Sequence, residues 1–275
     1  MRRWLEPVSL WILMGLIVLW STFPIYLIVM ASLKDPREIF EFPPRLWGVP
    51  TLENYRMLWA RWPEFFKSLT NSLYVTGGAA LMTLVLSSAA AYAYSRYQGR
   101  SLQISAFLML AIRMFPPLVI TIPLFPLLYT VGLIDKHFTL IILYATFFVS
   151  LSTWLMKSFI DEVPVQLEEA ARIDGCNTFQ VLTKITLPLV RQGMAATTIF
   201  VAIYAWNEFM FAFLFTSADA RTAPLVISEM MGSITGVQWG PLFAAATIQL
   251  LPMLLFVWAI QSHLIRGMTA GSVKG

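Results

Sequence analysis

Long apolar runs separated by short polar segments dominate the chain. Six are long enough to cross a bilayer: about 9–32, 69–94, 102–130, 138–159, 190–215 and 242–263. A crossing helix needs about 20 predominantly apolar residues, since the hydrocarbon core is about 30 Å thick and a helix rises about 1.5 Å per residue. The first run follows Arg2 and Arg3 but far exceeds the roughly 7–15 apolar residues of a secretory leader, so it reads as a retained helix. The pattern predicts an all-α integral membrane protein with six transmembrane helices. With no fixed-period repeat and no low-complexity linker, residues 1–275 read as one transmembrane domain.

The runs differ in kind. The second contains Gly77, Gly78, Ala79, Ala80 and Ala89–Ala91, small residues that let membrane helices approach closely. The third carries Pro116, Pro117, Pro123 and Pro126, and each proline removes a backbone donor and obstructs the preceding turn. A bent helix beside a cavity is expected there, because irregular backbone survives at membrane depth only where protein or water satisfies it. Arg113 falls roughly 16 Å into this run at about 1.5 Å per residue from Leu102. Asn207 and Glu208 reach comparable depth in the fifth run, close to Tyr204. Buried charge at such depth needs a partner or water, so Arg113 and Glu208 are expected to face the interior and to pair. Arg113, Tyr204, Asn207 and Glu208 are the candidates for a solute pathway.

Between the first two runs, Thr51 is placed to cap a short helix with Glu53 near its positive end. Leu52, Tyr55, Leu58 and Trp59 would share its apolar face, with Trp47, Trp59 and Trp62 at the membrane interface.

Composition supports this reading. Of 275 residues, 58% are hydrophobic and 12% charged, against about 25% charged in soluble domains; the mean hydropathy is +0.70. The net charge of +4 forms no stripe suited to nucleic acid. Arg96, Arg100, Lys157, Arg172, Lys184 and Arg191 instead cluster in short connecting segments on one side, favouring cytoplasmic N and C termini and contact with anionic lipid. One cysteine, Cys176, excludes an intrachain disulfide, and two distant histidines suggest no metal site.

One polar insert, residues 161–192, interrupts the apolar pattern. Pro164 suits a helix start, Gln166–Ile173 contains strong helix formers, and Asp174-Gly175 ends the helix. Asn177 with Gln180 three residues on forms a box-like cap for a second helix, and Leu187-Pro188 turns the chain toward the fifth run. A short helix held rigidly across two membrane helices can transmit a push.

Glu169-Ala170-Ala171, Gly175 and Ile185-x-Leu187-Pro188 closely resemble the EAA loop of ABC-importer permeases. Ser32-Leu33-Lys34, Thr51–Tyr55, Trp206-Asn207-Glu208-Phe209 and the terminal Gly267–Gly275 are similar to the second permease of maltose-type, carbohydrate-uptake importers. The resemblance implies a type I ABC importer permease with a cytoplasmic EAA coupling-helix loop, in a bacterial or archaeal inner membrane. By resemblance, Glu169, Ala170, Ala171, Asp174, Gly175, Leu187 and Pro188 form the ATPase-coupling element, with Glu169 in the ATPase groove and Gly175 permitting the turn. Glu229, Met230 and Gly232, in the outer loop near 217–241, would meet an extracytoplasmic solute-binding protein. The tail would reach between ATPase subunits. The implied partners are a second homologous permease, two ATPase subunits, the binding protein, membrane lipid and a sugar-like, polyol or glycerophosphate solute.

No Gly-x-x-x-x-Gly-Lys-Ser/Thr pattern is present, so ATP and Mg²⁺ are expected on partner subunits and no cofactor or catalysis on this chain. A stand-alone ion-coupled carrier would want several midplane ionisable groups and often internal repeats. An intramembrane enzyme would want a His, Cys or paired-acid cluster.

Overall fold

The computed structural model describes residues 2–43, 48–233 and 236–270, with side chains over 10–43, 48–233 and 236–260. Trp47, Arg45, the side chains of Arg2, Arg3 and Arg266, and the terminal segment 271–275 lie outside the described residues. In order, the helices are α1 (Arg2–Ser32), α2 (Glu53–Arg61), α3 (Glu64–Arg96), α4 (Arg100–Arg113), α5 (Pro117–Thr130), α6 (His137–Asp161) and α7 (Val165–Ile173). They continue as α8 (Thr178–Val181), a π-helical turn Leu182–Thr186, α9 (Leu187–Leu189), α10 (Arg191–Trp206), α11 (Met210–Phe215), α12 (Ala223–Met231) and α13 (Trp239–Ala270).

Among the described residues, four helical stretches are long and apolar enough to cross alone: Leu10–Ser32, Glu64–Arg96, His137–Asp161 and Trp239–Ile260. Two bent pairs bring the number to six: α4 with α5 at 94°, and Thr178–Leu189 with α10 at 82°. The first bend sits at the proline cluster, where Pro116 precedes α5 and Pro117 opens it; proline's missing donor and fixed φ suit a first turn. The fifth run is not continuous either. It is realised as α10, a break at Asn207–Phe209, and α11.

The chain divides into two compact units, residues 1–67 with 226–252, and residues 68–225 with 253–275. In the first, α2 buries Asn54 and Leu58, one helical turn apart. The Asn54 amide donates to the carbonyls of Ser32 (2.9 Å) and Lys34 (2.7 Å), tying α2 to the end of α1. A Cβ at Gly240 would overlap the Asn54 carboxamide, so only glycine fits against it. The expected apolar face is therefore displaced: Leu52 and Trp59 are exposed, and the polar Asn54 takes the inward position. Hydrogen bonding to two otherwise open carbonyls outweighs the apolar pattern here. Thr51 Oγ1 accepts the Glu53 N–H at 3.2 Å, one residue farther out than an N-cap, which is Leu52.

In the second unit, α3, α6, α10 and α11 share a core of Val75, Ala79, Leu140, Tyr144, Phe148, Val201, Ala205, Phe211 and Phe215. Small residues set the close approaches. A Cβ at Gly78 would lie 2.6 Å from Ile141 Cδ1, and one at Gly193 would lie 2.5 Å from Phe159 Cγ. At the end away from α7, Asp135 draws together the 131–136 and 216–220 loops. Its carboxylate accepts the backbone N–H groups of Ser217, Ala218, Asp219 and Ala220 at 2.9–3.2 Å. Burial raises its pKa, but the four amide donors outweigh that and bring it down to about 2.

Candidate functional site

Local sequence builds a braced helix–turn–helix between α6 and α10, within the second unit. The α7 helix follows Pro164 and ends in a glycine C-cap: Cys176 N–H donates to Ala171 O (2.9 Å) and Gly175 N–H to Arg172 O (3.0 Å). Gly175 has φ +90°, a conformation costly for residues with a Cβ. The expected box at Asn177 is present, with Gln180 N–H on Asn177 Oδ1 and Asn177 N–H on Gln180 Oε1, both at 2.9 Å. Beyond α8 the chain makes the π-helical turn, and this inserted register carries Thr186 inward. Such turns occur frequently at functional sites.

Thr186 meets a buried carboxylate that the sequence pattern did not single out. Glu168, on the inner face of α7, accepts from Arg96 Nε (3.0 Å), Thr186 Oγ1 (3.0 Å) and Tyr92 Oη (2.9 Å). Arg96, the last residue of α3, also donates from Nη2 to the carbonyls of Ile160 (3.0 Å) and Val163 (2.9 Å) at the end of α6. The Glu168 and Arg96 side chains are only 2% and 8% exposed. Beside them, Ser95 donates to Asp161 Oδ1 (2.6 Å), and Lys157 pairs with Asp161 Oδ2 (2.6 Å). Ala91, Tyr92, Met156, Ile160, Val163 and Val190 form the apolar floor beneath. The Glu168–Arg96 pair thus joins α3, the α6 terminus, α7 and the π-helical turn. Removing one partner of such a buried pair costs about 3–5 kcal/mol, because an uncompensated charge stays behind.

The opposite face of α7 is open. Glu169, Ala170, Asp174 and Gly175 are exposed, whereas Ala171 is buried and Leu187 packs on the floor. Ile173 and Phe179 are 88% and 72% exposed, large apolar groups set among charges, as at protein-docking surfaces. The motif residues therefore split into a presenting set and a bracing set. The clue missed in the sequence was two adjacent glutamates, since a helix sends neighbouring side chains about 100° apart.

At mid-span, Arg113 ends α4 at the 94° bend. It does not pair with Glu208. Glu208 instead accepts the N–H groups of Phe211 (2.9 Å) and Ala212 (3.4 Å), capping the start of α11 across the break. The helix break created orphan amide donors nearer to hand than the guanidinium. Arg113 stands over the Phe147 ring at 5.2 Å, with Nη1 buried and without a hydrogen-bond acceptor. A central arginine costs about 2.5–3.5 kcal/mol on the insertion scale. The ring returns about 0.5–2 kcal/mol and the α4 C-terminus about 0.3–1 kcal/mol, and neither occupies the guanidinium's directional donors. Phe147 leads through Phe148 to Tyr204 (centroids 5.3 and 6.1 Å). Tyr204 and Asn207 are exposed, and the Asn207 amide donates to Ile203 O at 2.8 Å. Of the outer candidates, Glu229 and Gly232 are exposed, but Met230 is 2% exposed. Met230 packs inward and is corrected from contact residue to core residue. Among the described residues, no group of three His, Cys, Asp or Glu side chains could hold a metal.

Membrane-crossing helices broken at mid-depth around an unpaired charge, with a braced helix beyond their ends, define a membrane transport subunit. The family model for the binding-protein-dependent transport system inner membrane component matches residues 83–270, and the chain belongs to that family. It is 35% identical over 267 residues to the trehalose/maltose transport system permease protein MalG of Thermococcus litoralis, covering 96% of this chain and 94% of that protein. It is 31% identical over 256 residues to the sulfoquinovosyl glycerol transport system permease protein SmoH of Agrobacterium fabrum, covering 92% and 89%. A crystal structure of a bacterial ABC transporter that imports the acidic polysaccharide alginate aligns with TM-score 0.77 at 21% identity, over 94% of this chain and 96% of that chain. That last likeness establishes the ABC-importer permease fold.

Proposed function

We propose that the chain is one permease of an ATP-driven, binding-protein-dependent importer for a sugar or sugar-like solute, and that it catalyses no reaction itself. A second permease completes the pathway, and two separate ATPase subunits hold ATP and Mg²⁺. Both termini and α7 lie on the cytoplasmic side. The named transport systems of relatives, trehalose/maltose and sulfoquinovosyl glycerol, support the sugar class.

One observation carries the coupling role: of two neighbouring glutamates on α7, Glu168 turns into its brace and Glu169 into the open. A docking ATPase would contact Glu169, Ile173 and Phe179. The Glu168 brace would pass its displacement to α3 and α6 without slack. Closure of the ATPase pair on ATP would then rotate the membrane helices and open the pathway to a loaded binding protein at the Glu229–Gly232 side. The test is ATP-dependent uptake by the reconstituted complex. Glu169→Lys or Gly175→Pro abolishes uptake while membrane insertion stays normal; normal ATP-driven transport by both variants removes the assignment. Uptake that follows an ion gradient instead of ATP also removes it.

A further inference from the structure

Taking the importer reading as its basis, we propose that Arg113 selects the cargo and that the imported solute is an anionic saccharide, bearing a carboxylate, sulfonate or phosphate. Arg113 stands about 20 Å along α4 from Arg100, at the open bend between α4 and α5. Its Nη1 is buried and finds no hydrogen-bond acceptor among the described residues. A guanidinium carries five N–H donors in a planar fork, and at this depth it stays charged.

The acids of the second unit that could answer it are engaged elsewhere. Glu208, at comparable depth, is held by two amides of α11. Asp135 is held by four amides, Asp161 by Lys157 and Ser95, and Glu168 by Arg96. The Phe147 ring covers one face of the fork at 5.2 Å but presents no lone pair along the N–H directions. What remains is a pre-oriented guanidinium whose planar donors suit an anion. The buried Phe148 ring links Phe147 to Tyr204 (centroids 5.3 and 6.1 Å), and Tyr204 presents an exposed aromatic face beside it. Flat aromatic faces suit the apolar faces of a sugar ring, and a few convergent polar groups fix its orientation. A solute with both a ring and an anionic group fits these two elements together; a neutral sugar leaves the fork unanswered.

The test uses the complete transporter in proteoliposomes, with labelled digalacturonate, 6-sulfoquinovose and glucose 6-phosphate as anionic probes and maltose and trehalose as neutral ones. The wild type takes up at least one anionic probe in an ATP-dependent manner. Arg113→Gln lowers kcat/KM for that probe at least thirtyfold, mainly through KM, and Arg113→Lys retains an intermediate rate. Complex yield stays unchanged. ATP-driven uptake confined to maltose or trehalose overturns the proposal and leaves the importer reading standing; so does anionic uptake indifferent to Arg113→Gln. Loss of complex assembly in both Arg113 variants also overturns it, because the partner permease then supplies the counter-charge. Absence of ATP-dependent uptake of every probe removes the importer reading, and this proposal with it.

Discussion

Arg96→Met isolates the brace beneath α7. The substitution keeps most of the side-chain volume but removes the charge that answers Glu168, a group only 2% exposed. The carboxylate retains Tyr92 and Thr186 as donors, while the carbonyls of Ile160 and Val163 lose the Nη2 group that now satisfies them. With burial this complete, solvent screening offers little relief. The expected cost is about 3–5 kcal/mol, the range for a broken buried ion pair. If that cost falls on the docked state of α7, amide exchange over Val165–Ile173 speeds up by about a hundredfold to several thousandfold, at about 1.4 kcal/mol per tenfold. Hydrogen exchange followed by mass spectrometry on the purified complex in nanodiscs reads this directly. Arg96→Met combined with Glu168→Leu removes both charges and recovers most of the protection, since apolar replacement of both partners is often neutral. Exchange within fivefold of wild type in Arg96→Met refutes the brace. A double variant no better than the single one refutes the charge-based account of it.

Asp135 and Gly193 offer two further tests of the packing. Asp135 has its pKa lowered from 3.8 to about 2, so its contribution is full above about pH 5 and is lost as the pH falls through 3.8 toward 2. The shift corresponds to about 2 kcal/mol, reduced to about 1 by solvent screening at this partly exposed site; exchange of the Ser217–Ala220 amides should rise over that pH interval in wild type, while Asp135→Asn exchanges faster than wild type above about pH 5 and converges with it below about pH 2. At Gly193, a Cβ would lie 2.5 Å from Phe159 Cγ, so Gly193→Val costs about 1–3 kcal/mol of overpacking. A thermal unfolding midpoint that falls in Gly193→Val and partly returns with Phe159→Ala supports the contact; an unchanged midpoint rejects it.

Much of the fold is legible because a bilayer leaves few solutions. Backbone groups in hydrocarbon must be satisfied within the segment, so long apolar runs become helices. The proline cluster foretold the bend at Met114–Pro116, and Asn177 with Gln180 foretold the cap that opens α8. These are local effects, decided by residues within one or two turns. Asp174-Gly175 likewise marked the end of α7, and Gly175 takes the positive φ that its position suggested.

What escaped the sequence is which polar group meets which. Arg113 and Glu208 share a depth, yet Glu208 is claimed by amides that exist only because α10 stops at Trp206 and α11 restarts at Met210. Asn54 displaces the apolar face expected of α2 because two carbonyls at the end of α1 lie within its reach. Glu168 and Glu169 are chemically identical neighbours; Arg96, 72 residues away, makes one a brace and leaves the other exposed. The sequence by itself determined the membrane class, the long helices, the proline bend and the polar helix–turn–helix of 164–187, through hydropathy and short-range backbone chemistry. Only tertiary structure decided the polar pairings, because a hydrogen bond depends on distance and direction between groups far apart in the chain.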